Sequence, residues 1–241
     1  MLTLIRSLIF YIGLIPLTIC FSFVSICVLL LPNTTRYKII ILWSKLTLVW
    51  LEITCDLKWV VHGKENITSK SGIILCKHQS AWETIAMQMI FPKQSQVLKK
   101  ELLRIPFFGW GLACLNPIAI NRKAGAESIK KILSLGRQKI NNGWWILLFP
   151  EGTRIKVGES GKFTQTGAAL ALAANCPLIP VAHNAGVFWK KEGVRKYSGT
   201  INVVIGKPIP TEGRDRKSIM QEAENWIEKT CDKLPKERFL N

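Results

Sequence analysis

Gly72-Ile-Ile-Leu-Cys-Lys-His-Gln-Ser-Ala-Trp-Glu-Thr84 changes character twice in thirteen residues. GIILC is the short, wholly apolar run that a buried strand requires, so a strand is predicted over Ile73–Lys77. Ser80-Ala-Trp-Glu83 has the S-x-x-E spacing of a capping box, which opens a helix predicted over 81–91, before Pro92. Strand, polar corner and helix make one unit, and the unit repeats outward from it. Further strands are predicted at Lys58–His62, Gln96–Lys99, Pro117–Asn121, Trp144–Phe149, Leu178–His183 and Ile201–Ile205. Helices fall near 124–141, 164–175 and 215–233. The helix within TQTGAALALAANC is apolar on nearly all sides and is expected to be buried. Strand–helix alternation predicts an α/β fold: a mostly parallel sheet of about seven strands flanked by helices.

The chain has 241 residues, with 33 Lys and Arg against 16 Asp and Glu. Residues 1–56 hold only Arg6, Arg36, Lys38 and Lys45 against Glu52 and Asp56, which leaves +15 of the net +17 on residues 57–241. Such a balance calls for an anionic partner, without choosing among lipid, nucleic acid and phosphorylated substrate. The seven cysteines are scattered, with no C-x-x-C pair. They read as reduced thiols in a cytosolic compartment.

Leu8–Pro32 carries no charge and is long enough to cross a hydrocarbon core of about 30 Å. It is too long for a signal-peptide core, and no small-residue cleavage site follows. After NTTRYK (33–38), a second apolar stretch covers 39–53, with Lys45 inside it and Trp43 and Trp50 suited to an interface. Two segments are therefore expected: a membrane-embedded helical hairpin over 1–56 and a catalytic domain over 57–241. Arg36 and Lys38, read as lying in the connection, favour a shallow hairpin over one that crosses. The basic remainder belongs on the cytoplasmic side, facing anionic lipid.

In parallel sheets, ligands bind beyond the carboxyl ends of the strands. KHQSAWET (77–84) and FPEGTR (149–154) both follow strands. Two readings of the first stay open. Ser80 and Glu83 can simply cap the helix, leaving His78 an ordinary strand-end residue. Alternatively, His78 lies before the helix and Glu83 in its first turn. The objection that positions five apart on one helix sit about 140° apart then falls away. Glu83 would orient His78 as a general base. No G-x-S-x-G elbow supplies a serine nucleophile. There is no H-E-x-x-H, and His62 and His183 lie far off in sequence, so no metal site is expected. FPEGTR can be a turn closed by Pro and Gly, yet Arg154 offers a planar fork for phosphate and Thr153 a hydroxyl. Lys99 and Arg122 also follow strands.

HQSAWE, KKELLRIPFFG, PIAINR, FPEGTR and LIPVAHN, in that order, resemble the sequence blocks of the glycerolipid acyltransferases, and within them the bacterial lysophosphatidic acid acyltransferases. The resemblance spans about residues 60–210, and the N-terminal hairpin fits it too. It implies a His-x4-Asp catalytic pair, here His78 and Glu83, with Glu in place of Asp. It also implies that Lys99, Arg122, Glu151, Gly152, Thr153 and Arg154 hold the glycerol phosphate. Pro180 would help shape the acyl and acceptor site. Where the family usually has Asp-Arg, this chain has Asn121-Arg122, so only Arg122 is carried over.

The expected reaction is acyl transfer from acyl-CoA or acyl-acyl carrier protein to the sn-2 hydroxyl of lysophosphatidate, with no metal or redox cofactor. Amides at the start of the 81–91 helix would receive the oxyanion. Expected partners are membrane phospholipid, lysophosphatidate and the thioester donor, not nucleic acid. The expected location is the cytoplasmic face of a bacterial inner membrane. The rival readings are another lysophospholipid or amino-acid lipid as acceptor, or a non-catalytic binder of anionic lipid.

Overall fold

A computed structural model describes residues 1–236. The N-terminal helices are α1 (Leu2–Cys27) and α2 (Asn33–Cys55). The rest alternates: β1 (Leu57–His62), β2 (Ile73–Cys76), α3 (Trp82–Ile90), β3 (Gln94–Lys99), α4 (Phe108–Cys114), β4 (Ile118–Ile120), α5 (Gly125–Asn141), β5 (Trp145–Leu148), α6 (Thr166–Ala174), β6 (Leu178–His183), α7 (Ala185–Phe188), β7 (Gly199–Ile205) and α8 (Arg216–Lys233). The seven strands form one sheet in the order β1-β7-β6-β2-β5-β3-β4. All neighbours are parallel except β6 and β7. The central strands β2, β5 and β6 are buried along their whole length, as strands covered on both faces must be.

Alternate residues of these strands feed two cores. Ile74, Cys76, Trp145, Leu147, Ile179 and Val181 pack with α1, α2, α3 and α7. Ile73, Leu75, Ile146, Leu148 and Leu178 pack with α5, α6 and α8. The chain therefore leaves β2 toward one face, through α3, and leaves β5 toward the other, through α6. Adjacent parallel strands that depart to opposite faces open a crevice at their carboxyl ends. The two polar segments KHQSAWET and FPEGTR stand at that crevice.

The strands match the sequence expectation to within two residues. β3 starts earlier than its apolar pattern, because buried Gln94 and Ser95 find partners: the Gln94 amide donates to the Tyr37 hydroxyl, and Ser95 Oγ to the Asn116 carbonyl. Helices α4 and α7 were not expected; both are too short to show a period.

The hairpin differs in one respect. NTTRYK is not the connection but the first turns of α2, and Arg36 donates to Asn33 within it. The turn is the apolar 28–32: α1 ends at Cys27, and Pro32 is the N-cap of α2. The charge argument placed on Arg36 and Lys38 as loop residues therefore lapses.

The hairpin shares its core with the sheet: Phe10, Leu48, Leu51 and Cys55 are buried beside Leu57 and Trp82. α1 touches the rest of the chain along most of its length. Ser7 Oγ accepts the Lys196 N–H, Tyr11 Oη accepts from Lys196 Nζ, Phe10 meets Trp189 edge to face, and the Cys114 thiol faces the Ser25 carbonyl. From α2, Tyr37 Oη donates to Gln88 on α3.

Candidate active site

The corner after β2 is built around a single carboxylate oxygen. Glu83, in the first turn of α3, has no solvent exposure. Its Oε1 accepts from His78 Nδ1 at 2.8 Å, from the Gln79 amide at 2.9 Å and from the Ser80 amide at 2.8 Å. Ser80 Oγ accepts the Trp82 amide at 3.1 Å. Capping and orientation of His78 thus coexist on one atom, and the Glu arm is long enough for both. Burial alone would push the Glu83 carboxyl up; the neighbouring imidazoles, the His78 hydrogen bond and the Ser80 amide outweigh it and hold the carboxyl below its ordinary value. An ionised carboxylate only accepts, so Nδ1 of His78 carries the proton and Nε2 has the free lone pair.

The FPEGTR loop holds His78 from the other side. Phe149 stacks on its imidazole, with centroids 4.1 Å apart and planes 20° apart. The Ile155 amide donates to the His78 carbonyl at 2.8 Å, and the His78 amide reaches Glu151 Oε1 at 3.4 Å. Glu151 also faces Lys77 Nζ at 3.4 Å, and Lys77 pairs with Glu228 of α8 at 2.5 Å. Burial is the largest influence on Glu151 and raises its pKa despite Lys77.

One cavity, of about 360 Å³, is lined at once by His78, by Lys99, Arg122 and Arg154, and by apolar side chains of four helices. Leu14 and Phe21 come from α1, Ile40 and Trp43 from α2, Ile85 from α3, and Phe108 and Leu112 from α4. The structure thus brings together His78 and three of the cations read from the sequence.

It does not bring Glu151, Gly152, Thr153 or Pro180 to the cavity wall. The Glu151 side chain is turned inward, to Lys77 and the His78 amide. Gly152 sits at φ +67°, the conformation that closes the loop onto the Phe149 carbonyl. Thr153 is exposed, and Pro180 is buried within β6 opposite Leu75. The Gln79, Ser80 and Trp82 amides are taken inside the corner, so they do not serve an oxyanion.

Three residues near the site were not singled out. His183 ends β6 with no exposure, and its Nε2 lies 3.9 Å from Glu83 Oε2, although 100 residues separate the two in the chain. Lys77 and Glu228 meet across 151 residues. The available signal was position: His183 and Lys77 both stand at the carboxyl ends of central strands.

A protein-family model described as Acyltransferase matches residues 58–184. The chain belongs to this acyltransferase family. A 1-acyl-sn-glycerol-3-phosphate acyltransferase of Pseudomonas aeruginosa is 42% identical over 235 residues, which cover 95% of this chain and 91% of that protein. One from Saccharomyces cerevisiae is 31% identical over 190 residues, covering 76% and 61%. The crystal structure of the 1-acyl-sn-glycerophosphate (LPA) acyltransferase PlsC from Thermotoga maritima superposes with a TM-score of 0.77 over 97% of this chain and 98% of that one, at 22% identity. That likeness concerns the fold.

Proposed function

We propose that the chain moves a fatty acyl group from a thioester to the sn-2 hydroxyl of 1-acyl-glycerol-3-phosphate, giving phosphatidic acid for phospholipid synthesis. The observation that carries this reading is the shared cavity: a histidine–carboxylate pair, three cations and an apolar wall are what a phosphorylated lipid with one free hydroxyl requires. The names of the relatives support the same substrate.

His78 Nε2 takes the hydroxyl proton as the oxygen attacks the thioester carbon. The His78 cation is stabilised by Glu83. Collapse of the tetrahedral intermediate breaks the carbon–sulfur bond, and the departing thiolate takes the proton from His78. Lys99, Arg122 and Arg154 hold the phosphate and so fix the hydroxyl beside Nε2, which removes an entropic part of the barrier. The apolar wall receives acyl chain. Glu151 and Gly152 act through the loop, and Thr153 is left without a contact role.

The enzyme works at a membrane surface, its hairpin lying in the interface. α1 is about 39 Å long at 1.5 Å per residue, and it contacts the domain from Ser7 to Ser25. A crossing helix would carry that contact surface into the hydrocarbon. Its free side is apolar, with Ile5, Ile12, Ile15 and Phe23 exposed. The cytoplasmic face of a bacterial inner membrane fits the basic domain.

Purified full-length protein, given lysophosphatidate and either acyl-CoA or acyl-acyl carrier protein, is expected to yield phosphatidic acid by mass. His78→Ala should abolish the product and keep the melting temperature. No product with either donor, or undiminished product from His78→Ala, overturns the reading.

A further inference from the structure

We infer that His183 is a positioning residue for this reaction: its Nε2–H ties down the strand end that carries His78, beside the unpartnered oxygen of the buried Glu83 carboxylate. The inference rests on the reading of His78 as the base.

β6 runs beside β2 and delivers His183 to the same edge of the sheet. Its Nδ1 accepts the Ala185 amide at 3.2 Å. The ring proton therefore sits on Nε2, which donates to the Lys77 carbonyl at 2.8 Å. Lys77 immediately precedes His78, so this bond fixes the peptide from which the catalytic imidazole projects. The same Nε2 lies 3.9 Å from Glu83 Oε2. Glu83 Oε1 is fully engaged by His78 and two amides, whereas Oε2 has no hydrogen-bond partner among the described residues, although it is buried. A buried carboxylate oxygen without a donor is costly; the His183 ring lies beside it, its one N–H donated to the Lys77 carbonyl.

The charged and titratable groups around His183 are Glu83 at the start of α3, Lys77 and His78 in the corner after β2, and Cys231 on α8, whose thiol faces the His183 carbonyl. Burial has the largest effect and lowers the His183 pKa. With one ring nitrogen donating and the other accepting, a second proton has no place. His183 acts as a fixed dipole and takes no proton in the reaction. Gly186 helps keep it there: a Cβ at that position would lie 2.9 Å from Gln79 Cβ, so α7 can ride against the corner only without one.

Two variants separate this role from simple packing: His183→Leu, which removes the donor, and His183→Gln, whose amide restores an N–H. Both are made in the full-length enzyme. In His183→Leu, kcat is expected to fall about tenfold or more, with KM for lysophosphatidate within about twofold. Looser seating of His78 should also weaken its Nδ1–H hydrogen bond to Glu83. His183→Gln should recover most of both. NMR of the ¹⁵N-labelled imidazoles gives a readout independent of turnover: the His78 Nδ1–H signal should shift or broaden in His183→Leu and return in His183→Gln.

An unmoved His78 Nδ1–H signal in His183→Leu overturns the inference, whatever the activity. So does a kcat loss that follows only the folded fraction, with that signal in place. A His78 Nδ1–H signal that shifts in a protein making no phosphatidic acid leaves His183 as the positioning residue and removes the substrate assignment instead.

Discussion

Glu83 Oε1 receives three N–H groups, and no other side-chain atom at the site has as many partners. Glu83→Gln keeps the shape but loses the charge, and its amide must set an N–H among groups that only donate. The expected loss in kcat is about 10²- to 10⁴-fold. Near-normal turnover would reduce Glu83 to a cap. Stability should respond as well. A carboxyl held below its ordinary value of 4.5 contributes fully above that pH, and the contribution drains as pH falls toward the lowered value. The Glu83→Gln protein should therefore show a shallower acid slope in chemical unfolding. Arg154→Ala acts on binding: losing a charge-assisted contact of about 1.5–3 kcal/mol raises KM for lysophosphatidate about ten- to hundredfold at similar kcat. An unchanged KM removes Arg154 from the phosphate site.

At the scale of elements, the site is a strand end clamped by a loop and a distant helix. Lys77, almost fully buried, is paired with Glu151 on the FPEGTR loop and Glu228 on α8. Burial opposes its charge, yet the two glutamates prevail and its pKa stands above the ordinary value. Glu228 lies outside the residues matched by the family model, so the C-terminal helix contributes to the site from beyond it. Glu228→Gln leaves a buried cation with Glu151 as its remaining partner. The expected cost is about 1–3 kcal/mol, discounted because Glu228 is partly exposed. It should appear as a lower urea midpoint at unchanged m-value, together with reduced turnover, since the same loop anchors the His78 backbone. An unchanged midpoint would assign no stabilising role to the pair.

At the scale of the whole molecule, one hairpin serves two surfaces. Its inner side completes the core through Phe10, Leu48 and Leu51 and lines the cavity through Leu14 and Trp43. Its outer side leaves Ile12 and Ile15 71% and 58% exposed. The two sides predict opposite phenotypes. Glu at both Ile12 and Ile15 should sharply reduce co-sedimentation with anionic vesicles while the melting temperature holds. Phe10→Ala should cost about 3–5 kcal/mol of stability. Vesicle binding that survives both glutamates would locate the membrane contact elsewhere.

Periodicity and punctuation were enough to determine the strands, the long helices and the α/β class, because apolar alternation and caps are local and survive without neighbours; the family was implied by the resemblance of five sequence blocks. They also placed His78, Lys99, Arg122 and Arg154 at strand ends, where a parallel sheet gathers them. What lay beyond sequence was direction and partnership. FPEGTR reads as a uniform phosphate loop, yet its glutamate turns inward to a buried lysine while its arginine turns to the cavity. NTTRYK reads as a break, yet it is helix: the turn falls in the apolar 28–32, and α2 begins at Asn33 directly after Pro32. The capping and catalytic readings of Glu83 looked like alternatives. They were resolved by where the chain leaves β2: the corner points the His78 ring and two amides at the same oxygen. His183, 100 residues later, reaches that carboxylate only because β6 lies beside β2, and strand order is a property of the packed sheet, not of any local run of residues.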